Sequence, residues 1–269
     1  MKIYEIRASR ALAPSGLPEY DYALNPYVGC LHGCLYCYAM DFTRGPPAAA
    51  WGEVIYVKVN LLELLRREVR RVRPGVVGLS TITDPYQPPE AMYRLTRGAV
   101  EILAQAGFHV SIQTKSGMVI RDLDLLTRHR HAVDVGITIT TLRDKARILE
   151  PYAAHPLARA RAAEKLARAG VKVWVFLGPV IPSFNDDPQE LTEVIQLARR
   201  IGAEVIYDRY RPKPRADAHL AAKYRPVRPD AGWWSRVKKI IEKICAQEGA
   251  ACLDAEEEWS RERRRRLFT

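Results

Sequence analysis

Three cysteines near the N-terminus constrain this 269-residue chain more than any other feature. Cys30, Cys34 and Cys37 lie at a C-x3-C-x2-C spacing within the segment NPYVGCLHGCLYCYA. Three thiolates on one short loop can bind three irons of a cubane cluster and leave the fourth iron open to a small molecule. Gly29 and Gly33 suit such a loop, because glycine adopts positive φ angles at little cost. The spacing therefore predicts a [4Fe-4S] cluster on these cysteines.

Three other uses of the cysteines compete with a cluster. A structural zinc ion needs four ligands, and His32 is available as the fourth, but its place between the cysteines strains a tetrahedron. A redox pair of Cys34 and Cys37 leaves Cys30 unexplained. Structural disulfides are not expected in a chain with five cysteines and no secretory signal. The cluster is favoured, and zinc stays open as the main alternative.

The charge balance favours a polyanionic partner. The chain has 42 Lys and Arg against 31 Asp and Glu, which gives a net charge of +11 and suits DNA or RNA. Much of the excess lies in two runs, RREVRRVR at 66–73 and RERRRR at 261–266, and a solvated charged surface explains such runs equally well. No run approaches the roughly 18 apolar residues of a membrane span. We therefore expect a cytoplasmic protein without a membrane partner.

Apolar strands alternate with helices along most of the chain, a pattern typical of parallel βαβ units. The predicted strands of these units are 22–29, 76–83, 109–114, 133–140, 171–177 and 204–207, and 54–59 is an added strand. The predicted helices are 61–72, 96–106, 122–129, 157–169 and 188–201. Six units predict an α/β fold built as a partial (β/α)6 barrel, with 45–53 as a loop and little signal before residue 22.

The ends of the predicted strands carry the residues of chemical interest. Cys30, Asp84, Lys115, Thr140 and Gly178 all lie at the ends of predicted strands, and parallel α/β barrels place their chemistry there. The barrel is expected to occupy residues 1–215. Residues 216–269 are expected to form a C-terminal helical extension, with an amphipathic helix at 233–247 and a helix end or mobile tail at 255–269.

The motifs, taken together, resemble the spore photoproduct lyase-like branch of the radical S-adenosylmethionine (SAM) superfamily. They are the cysteine motif, TDPYQPPE at 83–90, QTK at 113–115, LEP at 149–151 and GPVIPSFN at 178–185. The resemblance implies a partial barrel of the radical SAM type that binds a [4Fe-4S] cluster and SAM. It also implies reductive cleavage of SAM to a 5′-deoxyadenosyl radical that abstracts hydrogen, and an electron donor such as ferredoxin or flavodoxin.

The resemblance assigns Tyr36, Tyr38 and Lys115 to the SAM site. Tyr36 precedes the last cysteine, where the superfamily carries an aromatic residue near the adenine, and Tyr38 would frame the same site. Packing beneath the loop also explains Tyr36. Lys115 resembles the basic residue that pairs with the SAM carboxylate. The alternative interpretation is that Lys115 is a solvated lysine at a strand end without a role in binding.

The same resemblance extends to residues of the later strands. Thr138 and Thr140 lie where hydroxyl groups bond the SAM ribose, although threonine is also common in strands for its β propensity. Asp84 is implied to contact SAM or substrate, or else only anchors an Asp-Pro turn.

A second group of residues has weaker implied roles. Glu150 is implied at the cofactor site as half of an ion pair with Arg159, and the alternative is a surface pair worth under about 1 kcal/mol. Gln87 and Glu90 are accommodated by an exposed loop without any function. No catalytic residue is assigned.

One position separates this chain from spore photoproduct lyase itself. That enzyme carries a cysteine at the end of its second strand, which returns a hydrogen atom to the product radical. Counting from the cluster motif puts Ser80 at or near this place, and a serine O–H bond is too strong for that transfer. Cys245 and Cys252 are expected to be small buried residues.

Three functions follow as hypotheses. The first is a radical SAM enzyme that repairs or modifies a nucleic acid by a route other than that of spore photoproduct lyase. The second is a radical SAM enzyme acting on a small molecule or peptide. The third is a non-catalytic, metal-stabilised module that binds nucleic acid.

Overall fold

The computed structural model describes residues 1–224 and 228–258. Its strands are β1 Lys2–Ile6, β2 Leu12–Pro14, β3 Tyr22–Leu24, β4 Tyr27–Val28, β5 Val54–Lys58, β6 Val76–Leu79, β7 His109–Thr114, β8 Val133–Thr138, β9 Lys172–Val180, β10 Glu204–Arg209 and β11 Cys252–Asp254. Its α-helices are α1 Ala39–Phe42, α2 Pro46–Ala49, α3 Leu61–Glu68, α4 Glu90–Tyr93, α5 Leu95–Gln105, α6 Leu123–Arg128, α7 Ala146–Leu149, α8 Pro156–Arg168, α9 Pro188–Arg200, α10 Pro214–Lys223, α11 Trp233–Glu248 and α12 Ala255–Glu258. A 3-10 helix, Gly117–Asp122, precedes α6.

The main sheet has the strand order β2-β3-β6-β7-β8-β9-β10-β11. Every pair from β3 to β11 is parallel, and only β2 is antiparallel to its neighbour. Strands β6 and β8 are buried along their whole length, as expected for strands covered on both faces. The six predicted strands thus pair in their predicted order, which confirms the α/β fold with a parallel sheet and agrees with a partial barrel.

The helices cover the outside of the sheet with apolar faces that the sequence pattern predicted. Helix α9 begins at Pro188, and the side chain of Asp187 accepts hydrogen bonds from the amides of Gln189 and Glu190. Such a cap satisfies amides that have no partner within the helix. The boundaries of the predicted helices differ from those observed by a few residues, except that the helix predicted at 61–72 ends at Glu68.

The first predicted strand is wrong in its extent. Instead of one strand over 22–29, β3 joins the main sheet, while β4 pairs with β5 in a separate three-stranded sheet. Pro26 lies between them and has no amide hydrogen for a ladder. The Asn25 side chain accepts a hydrogen bond from the Ile82 amide at 3.1 Å, which turns the chain toward the end of β6.

Two glycines make room for aromatic rings at the sheet. A Cβ atom at Gly78 would lie 2.3 Å from the ring of Tyr20, and one at Gly136 would lie 2.3 Å from the ring of Trp174. Close by, the Asp134 carboxylate accepts hydrogen bonds from Ser111 Oγ at 2.9 Å and from Trp174 Nε1 at 2.6 Å. Ser111 and Asp134 lie in the first halves of β7 and β8, and Tyr20, Gly78 and Ser111 also line the cavity described below.

Several elements were absent from the sequence prediction. Strands β1 and β2 occupy the lead-in before residue 22, and α2 lies in the stretch predicted as a loop. Helix α10 and strand β11 lie beyond β10, and β11 extends the main sheet at its edge. The division at residue 215 stays a prediction, and residues 259–269, which include the basic run, lie outside the described residues.

The expectation for the last two cysteines is wrong. Cys245 on α11 and Cys252 on β11 form a disulfide, where the sequence predicted none. The turn at Gly249 brings the end of α11 back onto β11, so the two thiols meet although seven positions separate them. Among the described residues, no helix is both long and apolar enough to cross a bilayer.

Candidate cofactor and substrate site

The cysteine loop runs from β4 to α1, and its three thiols are free. Gly29 and Gly33 have φ angles of +87° and +61°, as predicted. A Cβ atom at Gly29 would lie 2.9 Å from the Val54 carbonyl oxygen, and one at Gly33 would lie 3.0 Å from the Tyr152 ring. Both positions therefore need glycine for conformation and for space.

The TDPYQPPE motif at 83–90 supports the cysteine loop through hydrogen bonds to its backbone. Gln87 Oε1 accepts a hydrogen bond from the Leu31 amide at 2.9 Å, and the Thr83 hydroxyl donates to the Gly29 carbonyl. Glu90 accepts hydrogen bonds from the Tyr27 hydroxyl and from the Thr96 amide, the latter at 3.0 Å. Gln87 and Glu90 are fully buried, so their interpretation as exposed loop residues is wrong. Both act as structural supports.

Asp84 joins the cysteine loop to the end of β7. Its carboxylate accepts hydrogen bonds from the Thr114 hydroxyl at 2.7 Å and from the Lys115 amide at 2.8 Å. His32 Nδ1 lies 3.3 Å from Asp84 Oδ2, although it is not aligned for a hydrogen bond. Burial alone would raise the pKa of Asp84, but His32 and these donors lower it to about 2. Asp84 is therefore a buried anion that does more than anchor a turn.

Burial dominates the chemistry of the free thiols. It raises the pKa of Cys30, Cys34 and Cys37, with a further rise from Asp84 at Cys30, while Lys115 opposes the rise at Cys34 and Cys37. Iron binds thiolates, so loading these cysteines with iron would release protons. The positive charge of the iron would then stabilise the thiolates in this buried place.

Glu150 and Arg159 form a buried ion pair, each about 1% exposed, so the alternative of a weak surface pair is wrong. The Glu150 carboxylate also accepts hydrogen bonds from the Tyr36 hydroxyl and, at 3.1 Å, from the Thr140 hydroxyl. Burial alone would raise the pKa of Glu150, but Arg159 and Lys115 lower it. This anion fixes the ring of Tyr36 beside the cysteine loop.

A cavity of about 410 Å³ lies at the carboxyl ends of the strands. The predicted site residues on its wall are Cys30, Cys34, Cys37, Tyr36, Tyr38, Asp84, Lys115 and Thr138. Thr140 and Glu150 lie outside this wall, and Glu150 is linked to the wall by the Tyr36 hydroxyl and, through Arg159, by the Thr138 carbonyl. The structure therefore brings the predicted residues into one region and divides them into a lining set and a supporting pair.

Lys115 is the cation nearest the thiols. Its ammonium nitrogen lies 5.5 Å from the centre of the Tyr36 ring, and no carboxylate of the described residues lies within ion-pair distance. Burial alone would lower the pKa of Lys115, but the negative charge around it, that of Glu150 included, raises it. A half-buried, charged ammonium without an ion-pair partner suits a carboxylate ligand.

The cavity wall also holds residues that sequence reasoning missed. Gln113 donates from Nε2 to Thr138 Oγ1 at 3.1 Å, and Asp208 lies at the end of β10. Their positions at strand ends were the available signal. Ser80 also lies on this wall, with a φ of +67° and a buried hydroxyl that has no hydrogen-bond partner among residues 1–224 and 228–258.

The thiols are not arranged around a single ion. Among the described residues, no three His, Cys, Asp or Glu side chains converge closely enough to bind one metal ion. A structural zinc ion needs four donors around one centre, whereas in a cubane cluster each thiolate binds a different iron. Three thiols on one loop, with no fourth ligand needed from the protein, match the ligand set of such a cluster.

Comparison with protein families and curated proteins agrees with this geometry. Residues 24–198 match the model described as the radical SAM superfamily. A protein of Methanocaldococcus jannaschii is 30% identical over 187 residues, which are 69% of this chain and 70% of that protein. A protein named as a radical SAM Nα-GlyT isomerase, from Pseudomonas phage M6, is 27% identical over 62% of this chain and 35% of its own length. The chain spans 56% of a similar Mycobacterium tuberculosis protein.

Solved structures share the fold at lower identity. A spore photoproduct lyase mutant superposes with a TM-score of 0.73 at 18% identity, covering 94% of this chain and 82% of the other. Another mutant of that lyase, solved with AdoMet and a dinucleoside spore photoproduct, gives a TM-score of 0.69 and covers 94% of this chain and 80% of its own. These likenesses establish the architecture around the cysteine loop.

Proposed function

The chain belongs to the radical SAM superfamily, whose members are enzymes, and we propose that it cleaves SAM reductively and acts on a nucleic acid. One observation carries the proposal. The three free thiols, Lys115 and the basic segment at 209–213 line the same cavity. Its volume of about 410 Å³ is within the range of small-molecule sites.

The residues of the cavity suit the two cofactors that the family implies. Cys30, Cys34 and Cys37 would hold the [4Fe-4S] cluster, and the ammonium group of Lys115 would hold the SAM carboxylate. When bound, the cluster supplies the electron that splits SAM into methionine and a 5′-deoxyadenosyl radical. An electron donor such as ferredoxin or flavodoxin is the proposed source of that electron.

The remaining residues of the site orient SAM and exclude water. Tyr36 and Tyr38 would lie beside the adenine, and Thr138 has a hydroxyl on the wall for the ribose. Asp84 is a buried anion that accepts a hydrogen bond from the backbone amide of Lys115. It therefore fixes the backbone of the lysine whose ammonium group would pair with the SAM carboxylate. Thr140 and Glu150 are positioning residues, because they act through Tyr36.

A nucleic acid is the substrate that the charge distribution favours. Arg209, Arg211 and Lys213 lie on the cavity wall, and the whole chain carries a net charge of +11. Basic side chains around a cavity attract phosphate groups. Ser80 occupies the wall at the end of β6, where a thiol would be needed for the lyase route, so we propose a different fate for the substrate radical.

Anaerobic reconstitution and turnover test this proposal. We expect about four irons per chain, and 5′-deoxyadenosine formation that DNA or RNA oligonucleotides accelerate. Cys34→Ala should abolish cleavage, whereas Cys252→Ser, outside the cavity, should keep it. Cleavage retained in Cys34→Ala would sink the cofactor assignment. Cleavage that no oligonucleotide accelerates, or oligonucleotide binding that salt does not weaken, would overturn the substrate class.

A further inference from the structure

One side of the cavity mouth carries two aromatic rings. Tyr38 is 41% exposed and Phe42 is 59% exposed, and both line the cavity. Their ring centres are 5.9 Å apart in an edge-to-face arrangement. The Tyr38 hydroxyl donates a hydrogen bond to the Thr81 carbonyl, which fixes that ring. Phe42 therefore presents an apolar face to solvent at the entrance of the cavity.

The other side of the mouth is basic. Arg209 and Lys213 are exposed, line the cavity and form no ion pair with the described residues. Arg211 lies between them and is paired with Asp208 at 2.9 Å and with Glu256 at 2.7 Å. The positive charges of Arg209 and Lys213 therefore remain available to an anionic ligand.

A reciprocal contact joins the two sides. The Asp41 carboxylate on α1 accepts hydrogen bonds from the amides of Arg215 and Ala216 at the start of α10, at 3.0 and 3.1 Å. In return, the Arg215 guanidinium donates to the Thr43 carbonyl at 3.2 Å, just after α1. The aromatic and basic sides are thus held together by the protein itself, so a ligand that bridges them meets a preorganised surface.

We propose that Phe42, Arg209 and Lys213, with Tyr38 packed against Phe42, form an aromatic–basic rim that binds an unpaired strand of nucleic acid. One base would stack on Phe42, the adjoining phosphates would contact Arg209 and Lys213, and the next nucleotide would enter the cavity. Proteins that bind single strands combine these two features, because every base has a face for stacking. A duplex hides those faces and must extrude a base to reach a buried site. The proposal rests on the nucleic-acid function above.

Fluorescence anisotropy of the reconstituted enzyme tests the rim. The probes are end-labelled 12-mers of one mixed sequence, as single-stranded DNA, as single-stranded RNA and as the DNA duplex. We expect one or both single strands to bind at least about tenfold more tightly than the duplex. Phe42→Ala should weaken single-strand binding about tenfold, since it removes one stacking partner, and Phe42→Trp should restore it.

Matched variants distinguish binding at the rim from effects that any exposed cation or any exposed aromatic ring would have. Arg209→Ala and Lys213→Ala should each lower the salt dependence of binding by about one phosphate contact. Lys172→Ala, an exposed cation at the amino end of β9, and Tyr4→Ala, an exposed ring on β1, should bind as the wild type does.

The outcomes distinguish this proposal from the function on which it rests. Duplex binding as tight as single-strand binding, or unchanged binding by Phe42→Ala, overturns the rim and leaves a nucleic-acid substrate in place. Binding of none of the three probes overturns both the rim and the nucleic-acid substrate. In that case, 5′-deoxyadenosine measured on the same preparation still reports whether SAM is cleaved.

Discussion

Glu150 is a buried carboxylate whose loss would leave a charge without a partner. It holds the guanidinium of Arg159, and both side chains are about 1% exposed. We predict that Glu150→Ala lowers the free energy of unfolding by about 3–5 kcal/mol, because the charge of Arg159 stays buried and unpaired. Denaturant titration of the purified chain measures this loss.

A surface pair provides the control for Glu150. Glu164 contacts Arg200 at 3.2 Å, and the Arg200 side chain is 63% exposed. Glu164→Ala should therefore cost less than about 1 kcal/mol. Equal losses in the two variants would show that the Glu150 pair contributes no more than a surface contact.

Ser80 has a φ of +67°, a conformation that costs a residue other than glycine about 1–2 kcal/mol. Glycine removes this cost, so we predict that Ser80→Gly raises the free energy of unfolding by about 0.5–1 kcal/mol despite the greater freedom of glycine in the unfolded chain. Ser116→Gly is the control, since Ser116 has a φ of −117° and accepts a hydrogen bond from the Met118 amide. That control should be less stable than the wild type. A destabilised Ser80→Gly would contradict the prediction.

Whether the role of a residue could be predicted from the sequence depends on how far along the chain its contacts lie. Gly29 and Gly33 were predictable, because a tight loop with positive φ is a local property. Gln87 and Glu90 were not, since their partners lie on other segments, such as Leu31 and Tyr27, 56 and 63 positions away. The sequence around both residues is rich in proline and polar groups, which suggests an exposed loop, and only the tertiary structure buries it.

At the scale of elements, α1 and α10 depend on each other through Asp41. We predict that Asp41→Ala speeds hydrogen exchange at the first amides of α10 about fivefold, because the loss of a helix cap costs about 1 kcal/mol. Hydrogen exchange with mass spectrometry measures this in the peptide that covers 214–223. Asp217→Ala is the matched control, since Asp217 lies in the first turn of the same helix but caps none of its amides. Unchanged exchange in Asp41→Ala would refute the coupling.

The elements that the sequence missed share a weak apolar pattern. Four of the five residues of β1 are exposed, so the strand lacks the alternation that marks a half-buried strand. Helix α10 buries only Ala216 and Leu220, and β11 has three residues. The six parallel strands were predictable because short runs rich in apolar and β-branched residues alternate with helical patterns along the chain.

At the scale of the whole molecule, the five cysteines divide into two groups with different chemistry. Cys30, Cys34 and Cys37 are free at the cavity, and Cys245 and Cys252 are joined at the edge of the sheet. The sequence could not show this division, because α11 and β11 must fold against the barrel before the two thiols meet. Closing so short a loop should contribute about 2 kcal/mol to stability.

Alkylation of the metal-free, denatured chain counts the thiols. We predict three adducts with iodoacetamide when no reductant is present, and five after reduction, because the Cys245–Cys252 bond protects two sulfurs. Intact-mass spectrometry measures both numbers. Cys252→Ser should give four adducts under both conditions, since Cys245 then has no partner. Five adducts without reductant would show that Cys245 and Cys252 are free in the protein, and the stability attributed to their bond would then have to come from the packing of α11 on α9.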